Sequence, residues 1–528
     1  LTRPCGKGGI HKSLRQALIL PLALLSTTIV SAQLQSTGGS STSTRATQLP
    51  LSGRANSNTV QVNQNATGSG PGSSSDTLNT QISVSGNTAG SIPDPGATAS
   101  AISLSLEDAI HRGLAFNLGR VTAEISTRSA SAQHIAARSS LLPQINASLS
   151  ENAAKVDLAA EGFSASVFGG AFSGFTFPTA VGPFHYYDLQ GSLQQDLLDF
   201  TAIHNLRSAK ASENAAGLSA RDAREQVVLA VAGTYLQAIA DAALIDAQQA
   251  EVQYAEASYK QAQAQEDAGN KAPIDATRSL VELQTEKQRL SSERGDFAKQ
   301  KLALARLIGL PLAADITLTE KLPETIPAAP ALDEAIRQAF AERQDLRAAE
   351  AQLRAAEEAR KAAGSEYLPS ANINGNYGLE GINPNSGTSV FQASATVSVA
   401  IFNGGRIHAD TTQAQAVVDQ RRAELADQRG AVEVDVRNAY IDLQVATEQV
   451  ATAESNRKLA LQTLQQSQDR FAVGVADSVE VVSSEQSLAA ADHDYVSSLY
   501  SQSVARITLA RAIGEAEKDL PTLLKGSL

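Results

Sequence analysis

The sequence predicts a mostly α-helical chain that also carries membrane β-barrel strands and is built from two tandem copies of one domain. Three observations lead there: a self-match with a period of roughly 200 residues, period-two segments of transmembrane-strand length, and two very long helical stretches without proline. Composition agrees. Of 528 residues, 42% are hydrophobic but only 4% are aromatic and 19% charged, which suits long helices packed through small side chains better than one large globular core. The formal charge of −12 argues against nucleic acid as a partner. The single Cys, Cys5, excludes intrachain disulfides and thiolate zinc sites, and the absence of Met excludes a thioether ladder for Cu(I).

Residues 1–32 read as an export signal. Arg3, Lys7, Lys12 and Arg15 form a basic start, Ala17 to Val30 an apolar run, and Val30-Ser31-Ala32 a small-residue cleavage site. Its removal takes the formal charge from −12 to −16. No later run of about 18 apolar residues stands out, so no membrane-spanning helix is expected. An exported chain of this kind can still cross a membrane as a β-barrel. Residues 33–103, rich in Ser, Thr, Gly, Asn and Gln, are expected to form a disordered arm, because they bury too little apolar surface to offset ordering entropy. Order is expected from Leu104, where Ser105-Leu106-Glu107-Asp108 has the form of a capping box.

Leu106-Glu107-Asp108-Ala109-Ile110 is matched by Leu332-Asp333-Glu334-Ala335-Ile336, and Leu142-Pro143 by Leu368-Pro369 at the same offset of 226. Tyr235, Gly269 and Ile308-Gly309 are matched by Tyr440, Gly474 and Ile513-Gly514 at an offset of 205. The first copy is assigned to 104–310 and the second to 331–514, with a linker at 311–330 and a C-terminal tail at 515–528. The drop in offset places an insertion in the first copy, around Gly162 to Gly182, where a cluster of Phe suggests a longer surface loop folded against the barrel mouth.

Four segments alternate with period two. After Pro143 the apolar positions are Ile145, Ala147 and Leu149; after Pro369 they are Ala371, Ile373 and Tyr377. Tyr187, Leu189, Leu193 and Leu197 mark the third segment, and Phe391, Ala393, Ala395, Val397 and Val399 the fourth. Ten or so residues of such alternation is the pattern of a transmembrane β-strand. Between the strand pairs, Ala202 to Ala268 and Gly405 to Val473 contain no Pro, so each is expected to run about 100 Å as helix. Leu283, Leu290, Phe297 and Leu304 fall seven apart, a coiled-coil seam, with Leu488, Tyr495 and Leu509 at equivalent places in the second copy. Four strands cannot close a water-filled barrel and would leave open edges in lipid, so an oligomer is required.

Strand pair, helical hairpin, strand pair, helical hairpin, after an export signal, resembles the TolC-like outer-membrane efflux protein family. Leu104 to Ala109, Ala136 to Pro143, the junction Ile401-Phe402-Asn403-Gly404-Gly405-Arg406 and the stretch Arg470 to Leu488 carry the resemblance. The first junction, Asp199-Phe200-Thr201-Ala202, departs from it by lacking the paired glycines. The resemblance implies a homotrimer in the outer membrane, a 12-stranded β-barrel continued by a long α-helical barrel through the periplasm. It implies a periplasmic adaptor protein and an inner-membrane efflux or secretion transporter as partners, besides outer-membrane lipid. The channel would be a passive exit duct, with no cofactor and no catalysis.

The resemblance also implies site residues. Ala268, Gly269, Asn270, Val473, Gly474 and Val475 stand at the helical tips that would meet the adaptor; the plainer reading is that the glycines serve the turns, and both can hold. Glu480, six residues after Gly474, matches an acidic position that narrows the closed periplasmic end in the family. Three copies about one axis would repel each other and attract cations, whereas the plain alternative is a solvated helix carboxylate. Asp275 and Arg278 are the first-copy equivalents of Glu480 and Ser483, and Arg278 or Lys271 is expected to bridge to a carboxylate and hold the mouth shut.

Enzyme chemistry has no foothold. The seven His are scattered without a metal-ligand spacing, and no Gly-Lys-Ser or Gly-Lys-Thr of a phosphate loop occurs. His204 and His408, equivalent at the two strand–helix junctions, read as solvated residues rather than a titratable ring. Carboxylates on the long helices read as a solvated face. The competing architectures are a periplasmic coiled-coil adaptor and a purely structural coiled-coil protein. The first would carry one hairpin within β-domains, and the second would lack the alternating strands.

Overall fold

The computed structural model describes residues 60–67, 77–96, 101–158, 160, 179–269, 271–323, 329–383 and 385–517. The export signal, Asn270 and most of the Phe-rich insertion lie outside these residues. Two copies of one motif follow each other. The first runs β3 (Ile102–Leu104), α1 (Leu106–Phe116), α2 (Leu118–Ser139), β4 (Gln144–Asp157), β5 (Ala180–Leu198), α3 (Phe200–Asp267) and α4 (Pro273–Ile308). The second runs β6 (Ile316–Leu318), α5 (Leu332–Glu342), α6 (Gln344–Ser365), β7 (Ser370–Gly381), β8 (Thr388–Ser398), α7 (Arg406–Ala472) and α8 (Ser478–Ala512). They are preceded by β1 (Val60–Thr67) and β2 (Thr77–Val84). The mostly helical, duplicated architecture with strand pairs is the one the sequence predicts.

The chain divides into two compact units. One contains the strand segments Asn146–Ser192 and Asn374–Gln392. The four long strands form one sheet in the order β4-β5-β7-β8, so the two copies meet at β5 and β7 and the sheet of a single chain is open at β4 and β8. Apolar members of the alternation stand exposed, Ile145 by 78%, Leu149 by 73%, Phe391 by 81% and Val397 by 71%, with the polar members of β8 exposed beside them. An aqueous protein would bury such a face.

The other unit holds the helices. The Ser105 hydroxyl accepts from the Asp108 amide at 3.1 Å, starting α1 as the capping box predicts. Buried Asn117 then ends α1 and caps α2, its side-chain oxygen accepting from Gly119 N–H at 2.8 Å while Nδ2 donates to the carbonyls of Thr88 and Leu307. Arg343 takes the same place between α5 and α6, and its guanidinium reaches Asp345 and Asp435. At 1.5 Å per residue, the 68 residues of α3 extend about 100 Å.

Three expectations are corrected. Residues 33–103 are not uniformly an unstructured arm: β1 and β2 pair antiparallel with Val60 opposite Val84 and Val62 opposite Ile82. Ile82 packs against α3 at Gly233, where a Cβ would fall 1.8 Å from Ile82 Cδ1, and buried Thr80 donates to Ser501 Oγ of α8 at 3.0 Å. A few apolar residues in alternation are enough to seat a hairpin on an existing helical surface. Second, the stretch read as a linker, 311–330, contains β6, which pairs parallel with β3 and buries Ile316 and Leu104. Third, α3 does hold an 18-residue window apolar enough to cross a membrane, but 61% of that window is buried within the protein. It supplies the core: Val227, Val231, Tyr235 and Leu236 pack with Leu304, Ile308 and Ile507, and the Tyr235 hydroxyl donates to the Leu104 carbonyl at 2.9 Å.

Candidate functional site

Both helical hairpins turn on a left-handed glycine. Gly269 has φ +71° and Gly474 φ +79°, a conformation that costs glycine little and other residues more. The Gly269 amide donates to Glu266 O and the Gly474 amide to Phe471 O. Pro273 then occupies the first turn of α4, where its missing N–H is harmless. Asp477 caps α8 through the amides of Val479 and Glu480 at 3.1 and 3.0 Å. Ala268, Gly269, Val473, Gly474 and Val475 are all exposed, Val473 by 74% and Val475 by 70%.

Just past these turns the expected gate residues separate into two groups. Ser478 Oγ donates to Asp275 Oδ1 at 2.6 Å and accepts from Arg278 Nη1 at 3.0 Å, and Arg278 lies 3.6 Å from Asp275. This triad ties α4 to the start of α8. Glu480 pairs instead with Arg470 across its own turn at 2.8 Å. Among the described residues no hydrogen bond or ion pair links Glu480 to Asp275. Lys271 bridges to a backbone carbonyl rather than a carboxylate: its ammonium donates to Ala476 O at 3.1 Å and lies 5.3 Å from the Phe471 ring. Phe471 and Ala476 are buried with Ala262, Ala276, Leu464, Val481 and Leu488, so apolar packing joins the two tips. Arg470 and Ser478 are the participants the sequence reading missed. The signal for Arg470 is its place ten positions before Glu480, across the turn 473–477.

Farther along the same helices lies a buried acidic group, which the sequence does not distinguish from the solvated charge usual on a long helix. Glu251 of α3, Glu282 and Glu286 of α4 and Glu485 of α8 are all buried. Gln248 and Arg289 donate to Glu286 at 2.5 and 2.6 Å, Gln486 donates to Glu282 at 3.2 Å, and Ser258 donates to Glu485. Glu251 Oε1 and Glu485 Oε2 are buried without a hydrogen-bond partner. Burial pushes Glu251 up to about 8, with Asp492, Glu286 and Glu485 adding repulsion. Burial likewise pushes Glu485 up to about 7, against the Ser258 hydrogen bond and with repulsion from Glu282 and Glu286. No group of His, Cys, Asp or Glu among the described residues has a geometry that could hold a metal ion. Of the two junction histidines, His408 is exposed, but His204 is not simply solvated: its Nδ1 lies 2.8 Å from Glu358 of α6, where Ser208 of α3 also donates to the Ala355 carbonyl.

Strands that display apolar side chains, set in a duplicated frame of long helical hairpins, define an outer-membrane channel. The family model described as outer membrane efflux protein matches residues 121–310 and again 335–515, and the chain belongs to that family. It is 23% identical over 344 residues to a probable efflux pump outer membrane protein, SepC of Pseudomonas putida, covering 62% of this chain and 69% of SepC. Its fold is similar to that of VceC from Vibrio cholerae, with a TM-score of 0.66 and 18% identity over 78% of this chain and 96% of VceC. It is also similar to the open state of the MtrE channel from Neisseria gonorrhoeae, with a TM-score of 0.66 and 19% identity over 89% of this chain and 98% of MtrE.

Proposed function

We propose that three copies of this chain form the outer-membrane exit duct of a tripartite efflux system, with no catalytic step of its own. The observation that carries this reading is the set of exposed large apolar side chains at alternate positions of β4, β5 and β8, on a sheet that ends at β4 and β8. Pairing β8 of one chain with β4 of the next would close twelve strands and leave no edge in lipid. The name of the relative SepC, an efflux pump component, favours efflux over protein secretion. Exposed Val473 and Val475 beside Gly474, with Ala268 beside Gly269, support adaptor docking at the tips. The Glu480–Arg470 pair and the Asp275–Ser478–Arg278 triad are the groups proposed to hold the periplasmic end closed. Purified protein in detergent should sediment as three chains and conduct ions in planar bilayers. A stable water-soluble monomer without conductance would overturn the proposal.

A further inference from the structure

Between α3 and α6 lies an open cavity of about 570 Å³ whose lining is strongly cationic. Arg207, Lys210 and Arg221 come from α3 and Arg354 from α6. Positions three, eleven and fourteen residues apart fall on one face of a helix, so the α3 cations form a stripe along the groove. Several cations on the long helices are matched by an acid one turn away, as in Lys260 with Glu256, Lys458 with Glu454 and Arg437 with Glu433, while single cations such as Lys287 and Arg294 of α4 have no ion pair among the described residues. The groove differs in gathering several unmatched cations at one place. Arg207, Arg221 and Arg354 make no ion pair or side-chain hydrogen bond among the described residues. The one acid in the lining, Glu213, is taken by His134 at 2.6 Å, and Lys210 lies near enough to help draw its pKa down after the Ser131 and His134 hydrogen bonds.

Like charges in a row on a helix destabilise it, and their presence in a chain of formal charge −12 calls for a counter-charge from outside. The floor between them is apolar, made by Ala211, Leu218 and Ala351. Gly217 also lines the groove, and a Cβ there would meet nothing within 4 Å, so the opening is not filled by a neighbour. Guanidinium groups above an apolar floor suit a ligand with an anionic head and an apolar body.

We infer that this groove is a binding site for an amphipathic anion, its head held by Arg207, Lys210, Arg221 and Arg354 and its body laid on Ala211, Leu218 and Ala351. The assignment stands apart from trimer formation and export. The same chemistry is offered by a free organic acid or sulfonate and by an anionic lipid.

The probe is 2-naphthalenesulfonate, followed by fluorescence anisotropy on the purified channel in neutral detergent; the protein has no Trp to interfere. Saturable binding is expected, weakened about tenfold or more in Arg207→Gln/Arg354→Gln and abolished in Gly217→Phe, which fills the floor. The uncharged 2-naphthalenemethanol should not bind. Both variants should keep wild-type conductance, which separates a failure of this site from a failure of the channel reading. Repeating the titration in nanodiscs distinguishes the sources: phosphatidylglycerol discs that compete with the probe, where phosphatidylcholine discs do not, indicate a lipid occupant, and no competition by either indicates a free organic anion. Equal affinity of wild type and both variants, or equal binding of the uncharged analogue, would overturn the inference.

Discussion

Glu251 loses its water between α3, α4 and α8 and gains no cation in return, since Arg289 is taken by Glu286 and Arg457 by Asp492. Its proton affinity in the folded chain therefore rises from the ordinary 4.5 to about 8, first through burial. The folded state then binds protons that the unfolded state has released, so stability falls as pH rises through this window, from about 4.5 to about 8. Glu485, pushed up to about 7, acts in the same direction over a narrower range. The helical domain should melt at a higher temperature at pH 5 than at pH 8.5. Glu251→Gln keeps the shape and removes the charge; a tenfold change in proton affinity is worth about 1.4 kcal/mol, so the variant should gain about 1–3 kcal/mol at pH 8.5 and show a flatter profile. A steeper profile in the variant would mean that the remaining carboxylates, not Glu251, bear the cost. At the tip, Arg470→Ala leaves Glu480 without its partner across the turn. In a trimer it should raise cation selectivity and sharpen block by multivalent cations, read by bilayer conductance, and Arg470→Ala/Glu480→Gln should remove both effects.

At the scale of elements, the β1–β2 hairpin depends on one small residue of α3. Gly233→Leu puts a side chain where Ile82 sits, so the hairpin should detach while α3 stays helical, seen as new protease cleavage near Val60 to Val84. Ile82→Ala should have the same sign but cost only about 1–2 kcal/mol, below the range for a fully buried side chain. The long helices and strands were legible because their signals repeat: Ile145 and Ala147 in β4 return as Ala371 and Ile373 in β7, and Gly269 returns as Gly474. The hairpin was not, because four apolar residues are diluted in a Ser- and Thr-rich stretch and their partners, Gly233 and Ser501, lie far along the chain. The tip showed the same limit. Glu480, Asp275 and Arg278 could be found from position within a repeat, but that Arg278 would share Ser478 with Asp275 while Arg470 took Glu480 depends on how two hairpins pack. Nor does composition distinguish Glu251 from a solvated Glu, since burial on a long helix follows from which neighbours α4 and α8 supply.

The whole molecule couples its beginning to its end. Thr80 meets Ser501 across 421 positions of sequence, and the last core helix, α8, also carries Ile507 into the cluster built around Tyr235. A contact of that span forms late, because a long loop must close before it returns any stabilisation. The seat of the hairpin is made by α3 and α8 together, and it is complete only once α8 has packed. It thus serves as a completion mark: a chain truncated before α8 would present a loose amino-terminal segment to proteases, whereas a finished one would hide it. Cleavage at that segment should report, molecule by molecule, whether folding has reached the carboxy terminus, and a truncation at Asp477 should be clipped there even when α3 and α4 are fully formed.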